Sequence, residues 1–416
     1  MENVLDVLHE RGFVQQVSDE PELRKRLEQP ITLYHGIDAT ASSLHIGNLM
    51  QAMMLAWFQR HGHRPIALMG GGTTLVGDPS GRTTSRPMLS EEQIEQHVRA
   101  IRQQLQRFLD FEDDRALMVN NIDWLKPLNF VDFMRDIGSQ FSINEILRLE
   151  AYRTRLEAGG MTFLELSYVL MQSYDFLRLY QDYDCILQVG GSDQWGNSIA
   201  GADLIRRVAR GQAFVLVTPL ITASEGTKMG KSEKTQTIWL DPRMTSPYEY
   251  YQYWRNVPDS AVARSLAIYT FLPMEEVRAL SAAEGAELNR AKEVLAFEAT
   301  TIVHGADEAR KAQDAARALF GVLSEDLQLT GELTAQVTRR IGRDRLAEGM
   351  PVTELFKYAG LVSSANEARS LISQRGLSIN GQTVTDPRAR IGLSDMDDGH
   401  LMLSRGRKHH MRIVCA

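Results

Sequence analysis

Two short segments of the sequence carry side chains that suit phosphate binding. The first is HIGN, in which His45, Gly47 and Asn48 stand where a helix is predicted to begin. A helix N-terminus offers free backbone N–H groups and a partial positive charge, and both attract an anion. Gly47 permits close backbone approach, and His45 adds a donor. A lone histidine at a helix start is more often a cap or a surface residue, so both interpretations remain open.

The second segment is the polar stretch GTKMGKSEKT at residues 226–235. Lys228 and Lys231 lie three residues apart among glycine, serine and threonine, a composition suited to a cationic loop that holds a polyphosphate. The spacing of its glycines does not match the Walker pattern. A solvated surface loop is the commoner meaning of such a run, and the pattern alone does not exclude it.

A third group follows a predicted strand. In VGGSDQWGN, residues 189–197, Asp193 and Gln194 come directly after a pair of glycines. An aspartate at this position can accept hydrogen bonds from ribose hydroxyls, because the glycine turn lets the sugar come close. A Gly-Gly turn before a helix is otherwise an ordinary feature.

The fourth group lies on one predicted helix, FLELSYVLMQSYDFLRLY at residues 163–180. Tyr168, Gln172 and Asp175 are spaced i, i+4 and i+7, so they share one face. Buried polar side chains need partners, and three of them on a largely apolar helix predict a small polar ligand. The alternative is the solvent-facing side of an amphipathic helix, which has the same spacing.

The elements that would position these groups alternate between short apolar runs and helical patterns. This alternation predicts βαβ units around a parallel sheet, an α/β fold whose ligands bind beyond the carboxyl ends of the strands. Helices are predicted at 44–62 and from Ser90 to about Asp110, where Ser90 and Gln93 form a capping-box pattern. Strands are predicted at 31–37, 65–71, 115–121, 185–191 and 213–220.

The rest of the chain changes pattern twice. Helical spacing prevails from about 247 to 342, and a Gly/Asp/Arg-rich stretch at 343–350 is typical of a linker. Residues 351–416 predict a small α+β domain. This last region has nine Lys/Arg against six Asp/Glu, whereas the whole chain has a net charge of −7. A basic module on an acidic body favours contact with a phosphate backbone, although chance variation explains the count equally well.

The composition limits the class of protein. Hydrophobic residues make up 43% and charged residues 24%, which is typical of a globular protein. No apolar run approaches the ~20 residues of a membrane helix, and the N-terminus lacks the features of a signal peptide. Cys185 and Cys415 are too few for a disulfide framework or a cysteine zinc site. We therefore expect a cytoplasmic protein that contacts no membrane.

Taken together and in this order, the segments resemble the class I aminoacyl-tRNA synthetases. HIGN is similar to the HIGH signature, with Asn48 in the last place, and KMGKS at 228–232 is similar to KMSKS, with Gly230 in the middle. The C-terminal region resembles the ribosomal-protein-type RNA-binding domain of bacterial members. Four segments are similar to tyrosyl-tRNA synthetases in particular: YHGIDATASSLHIGN, GDPSGR, SYVLMQSYDF and LQVGGSDQWGN.

The resemblance implies ATP-dependent activation of L-tyrosine to tyrosyl-adenylate and transfer of the tyrosyl group to tRNA(Tyr). ATP would be a substrate, and Mg²⁺ would be held mainly by its phosphates and by water, without a protein metal site. A homodimer is implied through apolar segments near 124–150. The implied domains are a Rossmann-like catalytic domain at 1–225 with a dimer-forming insertion at about 122–160, a signature loop at 226–246, a helical domain at 247–342, a linker at 343–350 and an RNA-binding domain at 351–416.

The resemblance also implies a role for each matching residue. The residues implied to bind the phenolic hydroxyl of tyrosine are Tyr34 and Asp175. Those implied to bind its ammonium group are Asp78, Tyr168 and Gln172, and those that support the pocket are Asn121 and Gln188. Residues implied to line the adenosine and ribose site are Gly36, Asp38, Gly47, Gly191, Asp193 and Gln194. Residues implied to act on the phosphates are Thr40, His45, Asn48, Arg82, Arg86, Lys228, Lys231 and Ser232.

Two alternatives remain. A tryptophan-specific synthetase would have the same catalytic fold, but Tyr34 and Asp175 suit a phenol. A non-catalytic RNA-binding relative would keep the fold without the chemistry, but Lys228, Lys231 and His45 are retained. Exchange of pyrophosphate into ATP with each amino acid in turn distinguishes these alternatives from the tyrosine enzyme.

Overall fold

A computed structural model of the chain describes residues 2–78, 89–157, 159–220, 237–321, 338–397, 399–406 and 409–415. The chain divides into two compact units. Among the described residues, the first unit comprises those up to 220 together with 237–245 and 253–305, and the second comprises 246–252 and those from 306 onward. The segment predicted as a separate helical domain, 247–342, is therefore divided between the two units.

Six strands build the sheet of the first unit. They are β1 (Gln16–Val17), β2 (Thr32–Ile37), β3 (Arg64–Met69), β4 (Leu117–Asn120), β5 (Cys185–Gly191) and β6 (Phe214–Thr218). Their order is β1-β6-β5-β2-β3-β4. Strands β2 to β6 are parallel, as the sequence pattern predicts, and β1 pairs antiparallel with β6. The sequence does not predict β1, because two residues carry no periodicity.

The helices that begin before residue 306 include at least one between each pair of consecutive strands from β2 to β6, as the predicted alternation requires. They are α1 (Val4–Arg11), α2 (Glu20–Arg26), α3 (Ile46–Arg60), α4 (Gly71–Val76), α5 (Glu91–Leu105), α6 (Ile122–Leu125), α7 (Phe130–Asp136), α8 (Ile143–Ile146), α9 (Glu150–Glu157), α10 (Phe163–Tyr183), α11 (Trp195–Val208), α12 (Pro247–Arg255), α13 (Val262–Tyr269), α14 (Met274–Ser281) and α15 (Ala286–His304). No helix in the described part of the chain has both the length and the apolar character to cross a bilayer.

A buried cluster joins the sheet to α10 and α11. Tyr34 of β2, Leu68 of β3 and Phe176 of α10 belong to it, together with Leu204 of α11. Every residue of β6, FVLVT, is buried. Such a continuous apolar run is typical of a parallel strand that is covered on both faces. The polar ends of these strands are thereby left as the place where ligands can bind.

The capping box predicted at the start of α5 is confirmed. The Gln93 backbone N–H donates to Ser90 Oγ at 3.2 Å, and the Ser90 N–H donates to Gln93 Oε1 at 3.0 Å. The helix ends at Leu105 rather than near Asp110. The chain leaves the helix there, and the adjacent apolar residues Phe108 and Leu109 are both buried.

The second unit contains a small α+β domain. The second unit also contains helix α16 (Ala306–Gly321). The helices of the small domain are α17 (Arg343–Ala347), α18 (Val352–Tyr358) and α19 (Ala365–Ser373), and its strands are β7 (Thr338–Ile341), β8 (Met350–Pro351), β9 (Leu377–Ile379), β10 (Gln382–Thr383), β11 (Arg390–Ile391), β12 (His400–Arg405) and β13 (His409–Cys415). Five strands form one sheet in the order β10-β9-β12-β13-β7, and β11 pairs with β8.

The linker predicted at 343–350 is wrong. These residues form α17 and the start of β8, and Leu346 and Met350 are buried in the core of the small domain. β7, which the sequence assigned to the helical region, pairs in parallel with β13. The polar composition of this stretch concealed its few apolar residues, which are the ones that fill the core.

Candidate active site

The carboxyl-terminal parts of β2, β3 and β5 line a cavity of about 750 Å³. Arg82, Arg86, Lys228, Lys231 and Ser232 lie outside the described residues. Every other site residue predicted from the sequence lines this one cavity: Tyr34, Gly36, Asp38, Thr40, His45, Gly47, Asn48, Asp78, Asn121, Tyr168, Gln172, Asp175, Gln188, Gly191, Asp193 and Gln194. Residues separated by up to 160 positions therefore meet at the edge of the sheet where α/β folds bind ligands.

One end of the cavity is a buried polar corner around Asp175. Its carboxylate is 3% exposed and accepts hydrogen bonds from Asn121 Nδ2 at 2.9 Å and from Trp124 Nε1 at 2.7 Å. The Tyr34 hydroxyl is also buried and has no hydrogen-bond partner among the described residues. A buried polar atom without a partner is costly, so this corner suits a ligand that carries a hydroxyl group.

Burial changes the acidity of this corner. It raises the pKa of Asp175 to about 7, even though the hydrogen bonds from Asn121 and Trp124 act in the opposite direction. Burial, together with the nearby Asp175, raises the pKa of the Tyr34 hydroxyl well above its ordinary value. Above pH 7 the corner therefore combines a carboxylate acceptor with a neutral phenol, which is the pairing that can bind a second phenol.

A hydrogen-bonded chain of side chains extends from this corner. Asn121 Nδ2 also donates to Thr73 Oγ1 at 3.1 Å, and Thr73 Oγ1 donates to Asp38 Oδ1 at 2.8 Å. The Tyr168 hydroxyl donates to the other oxygen, Asp38 Oδ2, at 3.2 Å. Asn121 is itself held by the Gly72 backbone N–H, which donates to its Oδ1 at 2.7 Å. The cavity wall is thus fixed by a network that joins helices α4 and α10 to the residues that follow strands β2 and β4.

A second network joins the α10 side of the cavity to the end of β5. Gln194 Nε2 donates to Asp78 Oδ2 at 3.0 Å. Asn197 Nδ2 donates to Gln172 Oε1 at 3.1 Å and lies 3.4 Å from Gln194 Oε1. Residues predicted for the ammonium group and for the nucleotide are therefore neighbours, as a ligand that joins an amino acid to a nucleotide requires.

The opposite end of the cavity is the start of α3. His45 is the N-cap: its Nδ1 accepts from the Gly47 backbone N–H at 3.0 Å, and its own N–H donates to Asn48 Oδ1 at 3.1 Å. Because Nδ1 is an acceptor, the neutral ring carries its proton on Nε2. A Cβ at position 47 would lie 2.7 Å from the ring, so only glycine allows this arrangement.

The backbone N–H groups that were expected to be free at this helix start already have partners. The Ile46 N–H donates to the Ile238 carbonyl at 3.1 Å, and the Asn48 N–H donates to the His45 carbonyl at 2.8 Å. The Gly47 N–H is taken up by the His45 ring. The capping box and the pairing with residue 238 satisfy the donors of the first turn, so an anion would have to contact side chains.

The described chain resumes beside His45 after the lysine-containing segment. The Leu240 N–H donates to the Leu44 carbonyl at 2.8 Å, and the ring of Trp239 meets that of His45 edge to face at 5.9 Å between centroids. Thr237 and Trp239 line the cavity. The described chain therefore resumes at the wall of the cavity that holds His45, and a ligand shared by His45 and the lysine-containing segment stays a prediction.

Comparison with known proteins follows the same division of the chain. Residues 25–321 match the family described as tRNA synthetases class I (W and Y). The chain belongs to this family. Residues 355–397 match the S4 domain, which agrees with the resemblance of the tail to ribosomal-protein-type RNA-binding domains. The family description covers both the tryptophan and the tyrosine enzymes and does not choose between them.

Full-length relatives of this family member bear a tyrosine-specific name. A protein from Clostridium beijerinckii named tyrosine–tRNA ligase is 48% identical over 414 residues, which cover 99% of each chain. Among solved structures, a C-terminally truncated mitochondrial tyrosyl-tRNA synthetase from Aspergillus nidulans is 30% identical, with a TM-score of 0.70, and covers 77% of this chain and 95% of its own. The corresponding Coccidioides posadasii structure is also 30% identical, with a TM-score of 0.66, and covers 76% of this chain and 92% of its own.

Sequence reasoning missed four side chains that shape the site. Trp124 and Thr73 hydrogen-bond the predicted carboxylates, Asn197 holds Gln172, and Gln51 Nε2 donates to Thr218 Oγ1 at 3.2 Å while lining the cavity. One sequence feature could have indicated Trp124, because it lies three residues after Asn121, at the end of a predicted strand. His35, to which no role was assigned, also lines the cavity, and its Nδ1 contacts the Val189 carbonyl at 3.0 Å.

Proposed function

We propose that this chain activates L-tyrosine with ATP and transfers the tyrosyl group to tRNA(Tyr). The observation that carries the proposal is the buried corner in which the Tyr34 hydroxyl lies near the Asp175 carboxylate, at one end of a cavity that the HIGN segment also lines. A phenol supplies a donor for Asp175 and a partner for Tyr34. Full-length relatives named tyrosine–tRNA ligase support the same substrate.

In the activation step, a tyrosine carboxylate oxygen attacks the α-phosphorus of ATP. A bond forms between that oxygen and phosphorus, and the bond to the departing pyrophosphate breaks. No enzyme nucleophile is needed, so the protein acts by positioning the reactants and by stabilising the negative charge that moves onto pyrophosphate. His45, with its proton on Nε2, suits the second task together with Thr40 and the cationic residues predicted outside the described ranges.

Magnesium is proposed to bind mainly through the substrate phosphates and water. Asp38, Asp78, Asp175 and Asp193 line the cavity, but the described residues contain no cluster of three His, Cys, Asp or Glu suited to a metal ion.

Transfer to tRNA is proposed to need the small C-terminal domain, whose S4 match and basic tail suit a phosphate backbone. β7 pairs with β13, so a truncation that removes the domain should end before Thr338. The truncated chain should still form tyrosyl-adenylate but should not charge tRNA. Full charging by the truncated chain would contradict this role.

A homodimer is proposed through the segment around residues 130–164. Phe130 and Val131 are each 69% exposed and Phe163 is 63% exposed. Large exposed apolar side chains mark interaction surfaces. Sedimentation at micromolar concentration should give a dimer that Phe130→Asp converts to monomer, whereas Val208→Asp, at an exposed apolar residue outside this segment, should not. A wild-type species of only 46.8 kDa would contradict the proposal.

The decisive assay is pyrophosphate exchange into ATP with each amino acid separately. Exchange is expected with tyrosine. With phenylalanine it should be very weak, because the polar groups of the buried corner are then left without a hydrogen-bond partner. Exchange that depends on tryptophan would favour the alternative enzyme of the same family. Absence of exchange with every amino acid would leave only a non-catalytic RNA-binding role.

A further inference from the structure

The contacts of Asp38 lie on the amino-acid side of the cavity. The sequence resemblance assigns Asp38 to the nucleotide, but its Oδ2 accepts from the Tyr168 hydroxyl at 3.2 Å and its Oδ1 accepts from Thr73 Oγ1 at 2.8 Å. Tyr168 lies on α10 with Gln172 and Asp175, all predicted to bind tyrosine. The side chain of Asp38 is thus oriented by the part of the site that would hold the amino acid.

The same carboxylate is connected to the phenol-binding corner. Thr73 accepts from Asn121 Nδ2, which also donates to Asp175, so two side chains join Asp38 to Asp175. The charge of Asp38 is one of the influences that raise the pKa of Asp175. Gly70 leaves room for the pair, because a Cβ there would overlap both Asp38 and Thr73. A tyrosine whose phenol contacts Asp175 would therefore extend along this network.

The direction of the Tyr168 hydrogen bond decides what Tyr168 can do. An ionised carboxylate only accepts hydrogen bonds, so the Tyr168 proton points toward Asp38 and its oxygen presents lone pairs elsewhere. Lone pairs suit a substrate ammonium group, which only donates. The Asp38 carboxylate places a negative charge directly beside the Tyr168 hydroxyl, on the wall of the cavity.

We propose that Asp38 is a positioning residue of the amino-acid subsite, which turns the Tyr168 hydroxyl into an acceptor for the substrate's ammonium group and adds negative charge beside it. This inference rests on the proposed function and deepens it. It assigns Asp38 to the amino-acid subsite rather than to the nucleotide site. It predicts that loss of the Asp38 carboxylate weakens the binding of any phenolic ligand that carries an ammonium group.

The test uses Asp38→Asn in the full-length protein with three ligands: tyrosine, tyramine, and 3-(4-hydroxyphenyl)propionate, which lacks the ammonium group. Asparagine has the same size as aspartate, but its amide N–H can donate to the Tyr168 oxygen. The Tyr168 hydroxyl would then point its proton away from residue 38. Dissociation constants for tyrosine and tyramine should rise about tenfold or more, and that for the propionate should stay near wild type. Comparing ligands on one variant separates this effect from partial misfolding, which weakens all three alike.

Two controls make the result specific. In a Tyr168→Phe background, Asp38→Asn should no longer produce the full loss of tyramine binding, because there is no hydroxyl to reverse. Asp193→Asn should raise the KM for ATP and leave tyramine binding near wild type. If Asp38→Asn instead raises only the KM for ATP, or weakens all three ligands equally, the inference is wrong. If wild-type protein shows no tyrosine-dependent exchange, the proposed function itself fails.

Discussion

The two ends of the cavity hold their polar groups in different ways. At the phenol end, Asp175 is buried on α10, within the interior of a 21-residue helix, and receives donors from Asn121 and Trp124. At the nucleotide end, His45 and Asn48 stand at the first turn of α3 and mainly hold each other. The end proposed to recognise the phenol is thus built into the core, whereas the end proposed to bind the phosphates depends on side chains at a helix terminus.

The largest expected effect is at the phenol end. Asp175→Asn should lower kcat/KM for tyrosine about 100-fold or more, on the order of 3 kcal/mol, because an amide N–H replaces a charged acceptor in a buried network. The KM for ATP should change little. Pyrophosphate exchange measures both quantities. An equal effect on tyrosine and on ATP would contradict the assignment of separate ligands to the two ends of the cavity.

The acidity of Asp175 gives the next effect. Burial raises its pKa to about 7, so the carboxylate acceptor is present above that pH and is lost as the pH falls below it. Tyrosine binding should therefore weaken below pH 7, approaching about tenfold per pH unit. Trp124→Phe removes a hydrogen bond that lowers this pKa, so the midpoint should move upward. Fluorescence titration across pH 5–9 measures it, and Asp175→Asn, the control, should show no such midpoint.

A smaller effect is expected at the nucleotide end. In Gly47→Ala, the added Cβ lies 2.7 Å from the His45 ring, which must turn out of its capping position. The KM for ATP should rise about tenfold, because one charge-assisted hydrogen bond from His45 to the phosphates is lost. Tyrosine binding should stay unchanged. Gly342→Ala is a matched control, because a Cβ there meets nothing within 4 Å. Weaker tyrosine binding in Gly47→Ala would show that the two ends are coupled.

The smallest effect concerns stability. Asn48→Ala removes the acceptor of the His45 N–H and should lower the free energy of unfolding by about 1 kcal/mol, the usual cost of losing a cap. Asn48→Asp keeps the acceptor and should retain most of the stability. Urea unfolding of the three proteins measures the difference, and an Asn48→Ala variant as stable as wild type would mean that the capping box contributes nothing here.

Prediction from sequence succeeded where a signal was local and failed where partners were distant. Strand β5 begins and ends as predicted, and the pairing of Ser90 with Gln93 is confirmed, because both depend on residues a few positions apart. Trp124 was missed because its importance comes from Asp175, 51 residues later. The false linker failed for the same reason, since Leu346 and Met350 matter only through a core assembled from the whole domain.

The order of apolar runs and short motifs predicted the parallel α/β fold and the family, and the described side chains that the resemblance named share one cavity. Period and motif spacing are local properties, and the chain carries them before it folds. Only the tertiary structure decided which groups pair by hydrogen bonds. His45 Nδ1 caps its own helix, the backbone N–H groups near residue 46 already have acceptors, and Asp38 accepts a hydrogen bond from the Tyr168 hydroxyl. Each donor hydrogen points to one acceptor at a time, and which acceptor is within reach depends on the neighbours that folding brings to it.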